Sequence, residues 1–311
     1  MTMGGAMTDS TVFRTIFRPG LFAGQVVIVT GGGSGIGRCT AHELAALGAH
    51  VVLVGRKQDK LDAVCAEIAD AGGTARGAVC DIREEERVRD TIKNVLAQHG
   101  RIDALVNNAG GQFPSPLKDI SLKGWEAVVK TNLTGGFLMA RECLAQWMQQ
   151  HGGAIVNIVA DMWGSMPGMG HSGAARAGMI SFTETAALEW AQYGVRVNAV
   201  APGYVASSGM DSYPPEMGPL LRNAAKGVPL QRMATEAEIA APIVFLLSEA
   251  ASFITGTVLR VDGGRPQMRA GWATGKDLAQ NDNERAAVKP FNGFPLAQIP
   301  KVLLTPSEGE A

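Results

Sequence analysis

Gln25-Val26-Val27-Ile28-Val29-Thr30-Gly31-Gly32-Gly33-Ser34-Gly35-Ile36-Gly37-Arg38 is the stretch on which the fold turns. Its β-branched run reads as a buried strand, its glycines impose a tight turn, and the residues from Arg38 to Gly48 carry helical spacing. A strand, a glycine loop and a helix in that order suit a dinucleotide. Gly31 permits the turn, Gly35 lets the backbone approach a pyrophosphate, and Gly37 lets the helix lie close on the strand. Ser34, Ile36 and the first helical N–H groups then face the anion. A glycine-rich turn alone is often only a turn; here the flanking strand and helix supply the context that the motif requires.

A chain of 311 residues, 46% hydrophobic and 18% charged, suits a well-buried globular protein. A formal net charge of -1 gives no electrostatic case for nucleic acid or an anionic membrane as partner. The chain has no apolar run of the roughly eighteen residues that a bilayer span needs. There is no signal-peptide core, and Gly309-Glu310-Ala311 is not a peroxisomal address, so a cytoplasmic location is expected. Cys39, Cys65, Cys80 and Cys143 are scattered, and the five histidines show no metal-ligand spacing. Four small core residues and no metal are the reading.

Residues 1–20 read as a flexible lead-in, 21–265 as one domain and 266–311 as a tail that wraps the body or packs on a partner subunit. Strands are expected at 50–54, 74–80, 102–106, 154–159, 196–200 and 258–261, alternating with helices. Glu84, Glu85 and Glu86 favour the positive end of one helix dipole. Two long helices are expected at about 122–150 and 172–193. A shorter one opens at Thr235 and Glu238 with capping-box spacing and contains Pro242. This alternation indicates βαβ units and an α/β, Rossmann-like, doubly wound parallel sheet. The segment 206–227, rich in Ser, Gly, Pro and Met, is a surface loop or a flap over the ligand.

Ligands of such sheets bind beyond the carboxyl ends of the strands. The second strand ends at Gly55-Arg56-Lys57, where an NAD site would place an acid on the ribose hydroxyls. Two cations there suit a 2′-phosphate, and a cation at a helix N-terminus otherwise works against the dipole, so NADP(H) is the expected cofactor. Asp81-Ile82 and Asn107-Asn108-Ala109-Gly110 follow the third and fourth strands and leave room for adenine and ribose.

The glycine pattern at Thr30 to Gly37, Asn107-Asn108-Ala109-Gly110, Asn132 in a long helix and Pro202-Gly203 after a late strand together resemble the short-chain dehydrogenase/reductase superfamily over about 21–264. The resemblance implies a seven-stranded parallel sheet, a nicotinamide cofactor, and a homotetramer or homodimer built on the two long helices. It makes Asn132 the asparagine that supports a proton relay and gives Val205 a backbone contact to the nicotinamide amide.

The departure from that family is specific. Most members carry Tyr-x-x-x-Lys, whereas His171-Ser172-Gly173-Ala174-Ala175-Arg176 puts Ser172 at the tyrosine position and Arg176 at the lysine position. The tyrosines, Tyr193, Tyr204 and Tyr213, offer no shifted version of the motif, and Val159-Ala160 replaces the family's serine. A serine hydroxyl is a far weaker acid than a phenol, and an arginine stays charged while still donating to a ribose hydroxyl. Such a site still accepts hydride chemistry when the product charge is delocalised, as in a thioester enolate.

The chain also resembles the peroxisomal-type trans-2-enoyl-CoA reductases, with 2,4-dienoyl-CoA reductases nearby, through Gly111-Gln112-Phe113, Lys123-Gly124-Trp125, 131–135, 171–178, Leu188-Glu189-Trp190-Ala191 and 251–256. Relatives assigned to terpenoid alcohols share the pattern. Ser172 is then the expected donor to the substrate oxygen, with His171 either a proton relay or a packed ring. Met162, Trp163, Met166 and Met169 are the expected walls for an acyl or terpenoid chain, against a reading as ordinary core. Arg222, Lys226 and Arg232 either meet coenzyme A phosphates or are solvated. The activity expected is reduction of an enoyl-CoA; the competing readings are an acyclic terpenoid alcohol or aldehyde dehydrogenase and a catalytically silent NADPH-binding module.

Overall fold

All five residues of the strand β1 (Val26–Thr30) are buried, because the sheet they enter is covered on both faces. The computed structural model describes residues 14–267 and 290–304. β1, β2 (His50–Gly55), β3 (Thr74–Val79), β4 (Ala104–Asn107), β5 (Gly153–Ile158), β6 (Val195–Pro202) and β7 (Val258–Val261) form one parallel sheet in the order β3-β2-β1-β4-β5-β6-β7. The order reverses between β1 and β4, which opens the crevice where ligands of such sheets bind.

Alternation along β1 assigns the layers. Val27 and Val29 face one core with Leu44, Leu61, Ile239 and Ile243; Val26 and Ile28 face the other with Ile92, Met139 and Ala186. The first face is covered by α1 (Gly35–Ala46), α2 (Gln58–Asp70) and a later helix. The second is covered by α3 (Glu85–His99) and by a long helical column. That column consists of α4 (Leu122–Val129), α5 (Gly135–Cys143) and α6 (Gln149–His151), joined through π-helical turns at Lys130–Thr134 and Leu144–Met148. α7 (Gly170–Trp190) packs beside it and begins two residues earlier than the sequence spacing predicts. His171 and Ser172 therefore lie in its first turn.

The segment 206–227 is a succession of 3₁₀ turns around α8 (Gly218–Asn223). α9 (Glu236–Leu247) opens with the full capping box of Thr235 and Glu238, carries Pro242 inside, and returns to the face of α1. At the described end of the lead-in, the N–H of Arg14 donates to Gly293 O at 2.9 Å, and Thr15 donates to Glu43. The described part of the tail lies on this chain's own body. Phe294 is fully buried against Cys39, Ala237 and Ala240, and Thr235 Oγ1 donates to Phe291 O at 2.6 Å. Residues 1–13, 268–289 and 305–311 of the lead-in and tail lie outside the described residues. No described helix is long and apolar enough to cross a membrane.

Candidate active site

The glycine loop is locked from beneath by Thr30. Its Oγ1 accepts the N–H groups of Asn108 and Ala109, each at 3.0 Å, while Asn108 Nδ2 donates to Thr30 O at 3.0 Å. A Cβ at Gly37 would lie 2.4 Å from Gly31 O, and Gly35 adopts φ +57°. Only glycine meets both demands without strain. Ser34 is the N-cap of α1 but makes no side-chain capping bond, so amides of the first turn remain available to an anion.

Two cavities share this loop. The smaller, of about 340 Å³, is lined by Gly31, Ser34, Arg56, Lys57, Lys60, Asp81, Ile82, Arg83, Ala109 and Gly110. It holds the expected residues at the ends of β2 and β3 and adds Lys60 and Arg83, which strand-end reasoning passes over. Arg83 donates to Asp81 through Nε at 2.8 Å and holds the Asp81 carboxyl down at about 2, with Arg56 adding to the effect.

The larger, of about 580 Å³, is lined by Ser34, Gly35, Ile36, Asn108, Ala109, Gly110, Gln112, Asp161, Met166, Met169 and Arg176. Pro202, Gly203, Tyr204, Val205, Met210 and Tyr213 complete its wall from the far side. Val205 is held by a bridge to Ala234. Together the two cavities form a continuous cleft over the carboxyl edge of the sheet, with cations at one end and apolar walls at the other. Those glycines and cations fit a nicotinamide dinucleotide.

A buried polar network fixes the helices that face the cleft. Asn107 Nδ2 donates to Gly136 O and to Asn157 Oδ1, Asn157 Nδ2 donates to Thr183 Oγ1, and Thr183 donates to Met179 O. Asn132 lies in the π-helical turn with both amide atoms committed: Oδ1 accepts from Gly111 N at 2.8 Å and Nδ2 donates to Gly111 O at 3.0 Å. It holds the loop that follows β4.

Arg176 is 9% exposed, and its Nη1 donates to Ile158 O at 2.5 Å. Its Nη2 would meet a Cβ at Gly110 at 2.4 Å, and its Nε has no partner among the described residues. No described carboxylate is paired with it, and burial pushes its pKa down to about 10. An unpartnered buried donor beside the cleft is what a ligand hydroxyl would satisfy.

Ser172 is fully buried and is not among the residues lining the cavity. Its Oγ donates to Gln112 Oε1 at 2.7 Å, and Gln112 lines the cavity. His171 is also fully buried. Its Nδ1 accepts from Ser172 N at 2.9 Å and its ring stands edge-on to Phe113, centroids 4.4 Å apart, away from the cavity wall.

Of the four apolar side chains expected as walls, Met166 and Met169 line the cavity, whereas Met162 and Trp163 do not. Trp163 is 44% exposed and lies under the guanidinium of Arg260 at 4.9 Å. Arg222, Lys226 and Arg232 line neither cavity; Arg222 donates to Val302 O, and Arg232 is paired with Glu238 at 2.6 Å. Further wall comes from Met210, Tyr213, Met217, Leu220 and Leu221 of the segment 206–227 and from Tyr204 just before it. Asp161 lines the site, its Oδ2 2.7 Å from Arg265 Nη1 and its Oδ1 without a partner among the described residues.

Known proteins share this fold. The family model described as enoyl-(acyl carrier protein) reductase matches residues 31–265. A solved structure of the citronellol catabolism dehydrogenase AtuB from Pseudomonas aeruginosa is 59% identical, with a TM-score of 0.74 over 81% of this chain and 98% of its own. An NADP-bound structure from Beutenbergia cavernae, a candidate NAD(P)-dependent gluconate 5-dehydrogenase, is 35% identical with a TM-score of 0.75, over 81% of this chain and 100% of its own. The Bacillus subtilis protein named as a probable 2,4-dienoyl-CoA reductase is 38% identical over 78% of this chain and 96% of its own. With the seven-stranded sheet, the glycine loop and these matches in hand, the chain belongs to the short-chain dehydrogenase/reductase family and is an NAD(P)-dependent oxidoreductase.

Proposed function

We propose that this enzyme uses NADPH to reduce the 2,3 double bond of an enoyl thioester. The observation that carries the reading is the composition of the site: a methionine-walled cavity with no lysine in its lining and no tyrosine on α7. Reduction of a ketone or aldehyde by this family's usual route calls for a phenol backed by an ammonium. Reduction of an enoyl thioester calls for less, because the charge spreads from the α-carbon to the thioester oxygen and a hydrogen-bond donor is enough to stabilise it. The bound cofactor supplies the hydride to the β-carbon, and the α-carbon takes its proton from water.

Around that chemistry, Arg176 donates to the nicotinamide ribose, Asn132 fixes the loop of Ala109 to Gln112, and Val205 orients the nicotinamide amide. Arg56, Lys57 and Lys60 receive the 2′-phosphate and set the preference for NADPH. The methionine-lined end of the larger cavity suits an acyl chain and its thioester. The 2,4-dienoyl-CoA reductase name of the Bacillus relative and the enoyl-carrier reductase name of the family model support this reading.

A second reading, a dehydrogenase of acyclic terpenoid alcohols or aldehydes, is favoured by the 59% identity to the Pseudomonas citronellol protein. NADPH oxidation and NADP reduction measured on a panel of enoyl-CoA, terpenoid aldehydes and terpenoid alcohols separates the two. Tight NADPH binding with no turnover on any member marks a silent binding module instead. Assembly as a homotetramer or homodimer through the long helical column and α7, where Phe137 and Leu188 are exposed, belongs to the same proposal, as does a cytoplasmic location.

A further inference from the structure

We propose that Tyr213 is the hydrogen-bond donor to the substrate oxygen, and that Ser172 is a positioning residue that acts on it through Gln112. The inference rests on the larger cavity being the site of hydride transfer. It does not depend on which substrate class is reduced.

Tyr213 follows the 3₁₀ turn Ser208–Ser212, far in sequence from α7, and it lines the cavity opposite Gln112. Gln112 Nε2 donates to the phenolic oxygen of Tyr213 at 2.6 Å, and Gln112 Oε1 accepts from Ser172 Oγ at 2.7 Å. The direction of this chain matters. Ser172 has a single proton and gives it to Oε1, which leaves Nε2 of the same amide as the end that meets the phenol. Tyr213 therefore receives a hydrogen bond at its oxygen, and among the described residues its own proton has no acceptor. That proton is free for a ligand in the cavity. A donated bond into the oxygen also polarises the O–H group and strengthens its donation onward.

The other tyrosine of the wall, Tyr204, is placed differently, with its ring 5.0 Å from the Arg265 guanidinium. The phenol that α7 lacks is thus supplied from the segment above the cleft. Its neighbour is a neutral amide, not an ammonium, so the role is donation of a hydrogen bond to an oxygen on which negative charge gathers. The tyrosine keeps its proton in either case, and the proton that completes the product, on the α-carbon of an enoyl thioester or on the alkoxide of an aldehyde, comes from water.

The test is a double-mutant cycle on NADPH-saturated enzyme with whichever of trans-2-octenoyl-CoA and citronellal the unmutated protein turns over. Tyr213→Phe should lower kcat about 100-fold to 1000-fold, the usual cost of removing one such donor, and leave the NADPH dissociation constant within about threefold. Ser172→Ala should lower kcat about tenfold alone and by less than about twofold on the Tyr213→Phe background, because residues acting as one unit are not additive. A Tyr213→Phe enzyme within about threefold of the unmutated rate, or a Ser172→Ala effect undiminished in the double mutant, overturns the proposal.

A binding measurement covers the case without turnover. Acetoacetyl-CoA, whose enolate carries the same delocalised oxygen charge, is titrated into the NADP complex. Tyr213→Phe should weaken its affinity at least about tenfold, and equal affinity overturns the proposal. Failure of the enoyl reading shows separately, as aldehyde reduction without enoyl reduction by the unmutated protein.

Discussion

Arg176 Nη1 lies 2.5 Å from the carbonyl oxygen of Ile158, the last residue of β5, and among the described residues the charge of that guanidinium meets no carboxylate. A buried cation without a counter-ion is costly, so its retention calls for a ligand that uses it. Arg176→Ala should weaken NADPH binding about tenfold and lower turnover, while Arg176→Lys should restore part of both without adding an acidic limb to the pH profile. Normal NADPH affinity in Arg176→Ala, read by fluorescence titration, would reduce the residue to a packing role.

Arg56 stands at the end of β2 in a cleft that also holds Lys57 and Lys60. Arg56→Asp removes a phosphate partner and supplies a ribose acceptor. The ratio of NADH to NADPH dissociation constants should fall by about 10-fold to 100-fold, as expected for one charge-assisted bond. Equal affinities for the two cofactors in the unmutated enzyme would remove the basis for an NADPH preference.

Asn132 satisfies both the N–H and the C=O of Gly111 from a side chain that is 2% exposed. Asn132→Ala removes both bonds to Gly111, whose exposed backbone then turns to water, and each such bond contributes about 0.5–1.5 kcal/mol. The variant should be destabilised by that order in urea unfolding, with a lowered kcat, since the loop it holds carries Gln112. Unchanged stability would mean that the loop holds itself.

Glu236, at the start of α9, is buried beside Gly35, and burial raises its pKa to about 7 against the pull of Arg38. The folded state then binds more protons than the unfolded chain between about pH 4.5 and 7. Through this group stability falls as pH rises across that window and levels off above it. The pyrophosphate-binding loop is adjacent, so an ionised Glu236 also repels the cofactor. Glu236→Gln should therefore be more stable than the unmutated protein at pH 8 and equally stable near pH 4, and should bind NADPH more tightly at pH 8. Parallel melting-temperature curves from pH 4 to pH 8 for the two proteins would contradict this.

The sequence discloses what depends on neighbours along the chain. Val26 to Gly37 specifies strand, turn and helix, and Thr235 with Glu238 specifies a helix start, because propensity and capping act within a few residues. Gly55-Arg56-Lys57 marks one end of the cleft for the same reason. Contacts made between distant segments leave no such trace. Gln112 and Tyr213 meet across about a hundred positions, and no periodicity announces that a phenol missing from α7 has a counterpart in a turn near β6. Ser172 illustrates the complementary failure: alignment with a motif places the residue, but its side chain's partner depends on what packs above it. The burial of Glu236 likewise arises only when α9 returns to the face of α1.

The fate of the hydride is tested most directly by isotope transfer. NADPH carrying deuterium at the transferable C4 position is incubated with the enzyme and trans-2-octenoyl-CoA, and the product is analysed by mass spectrometry. Enoyl reduction should give octanoyl-CoA bearing one deuterium, located at C3, with the C2 proton drawn from solvent. Unchanged octenoyl-CoA, alongside citronellal reduced to citronellol with deuterium at C1, would contradict it.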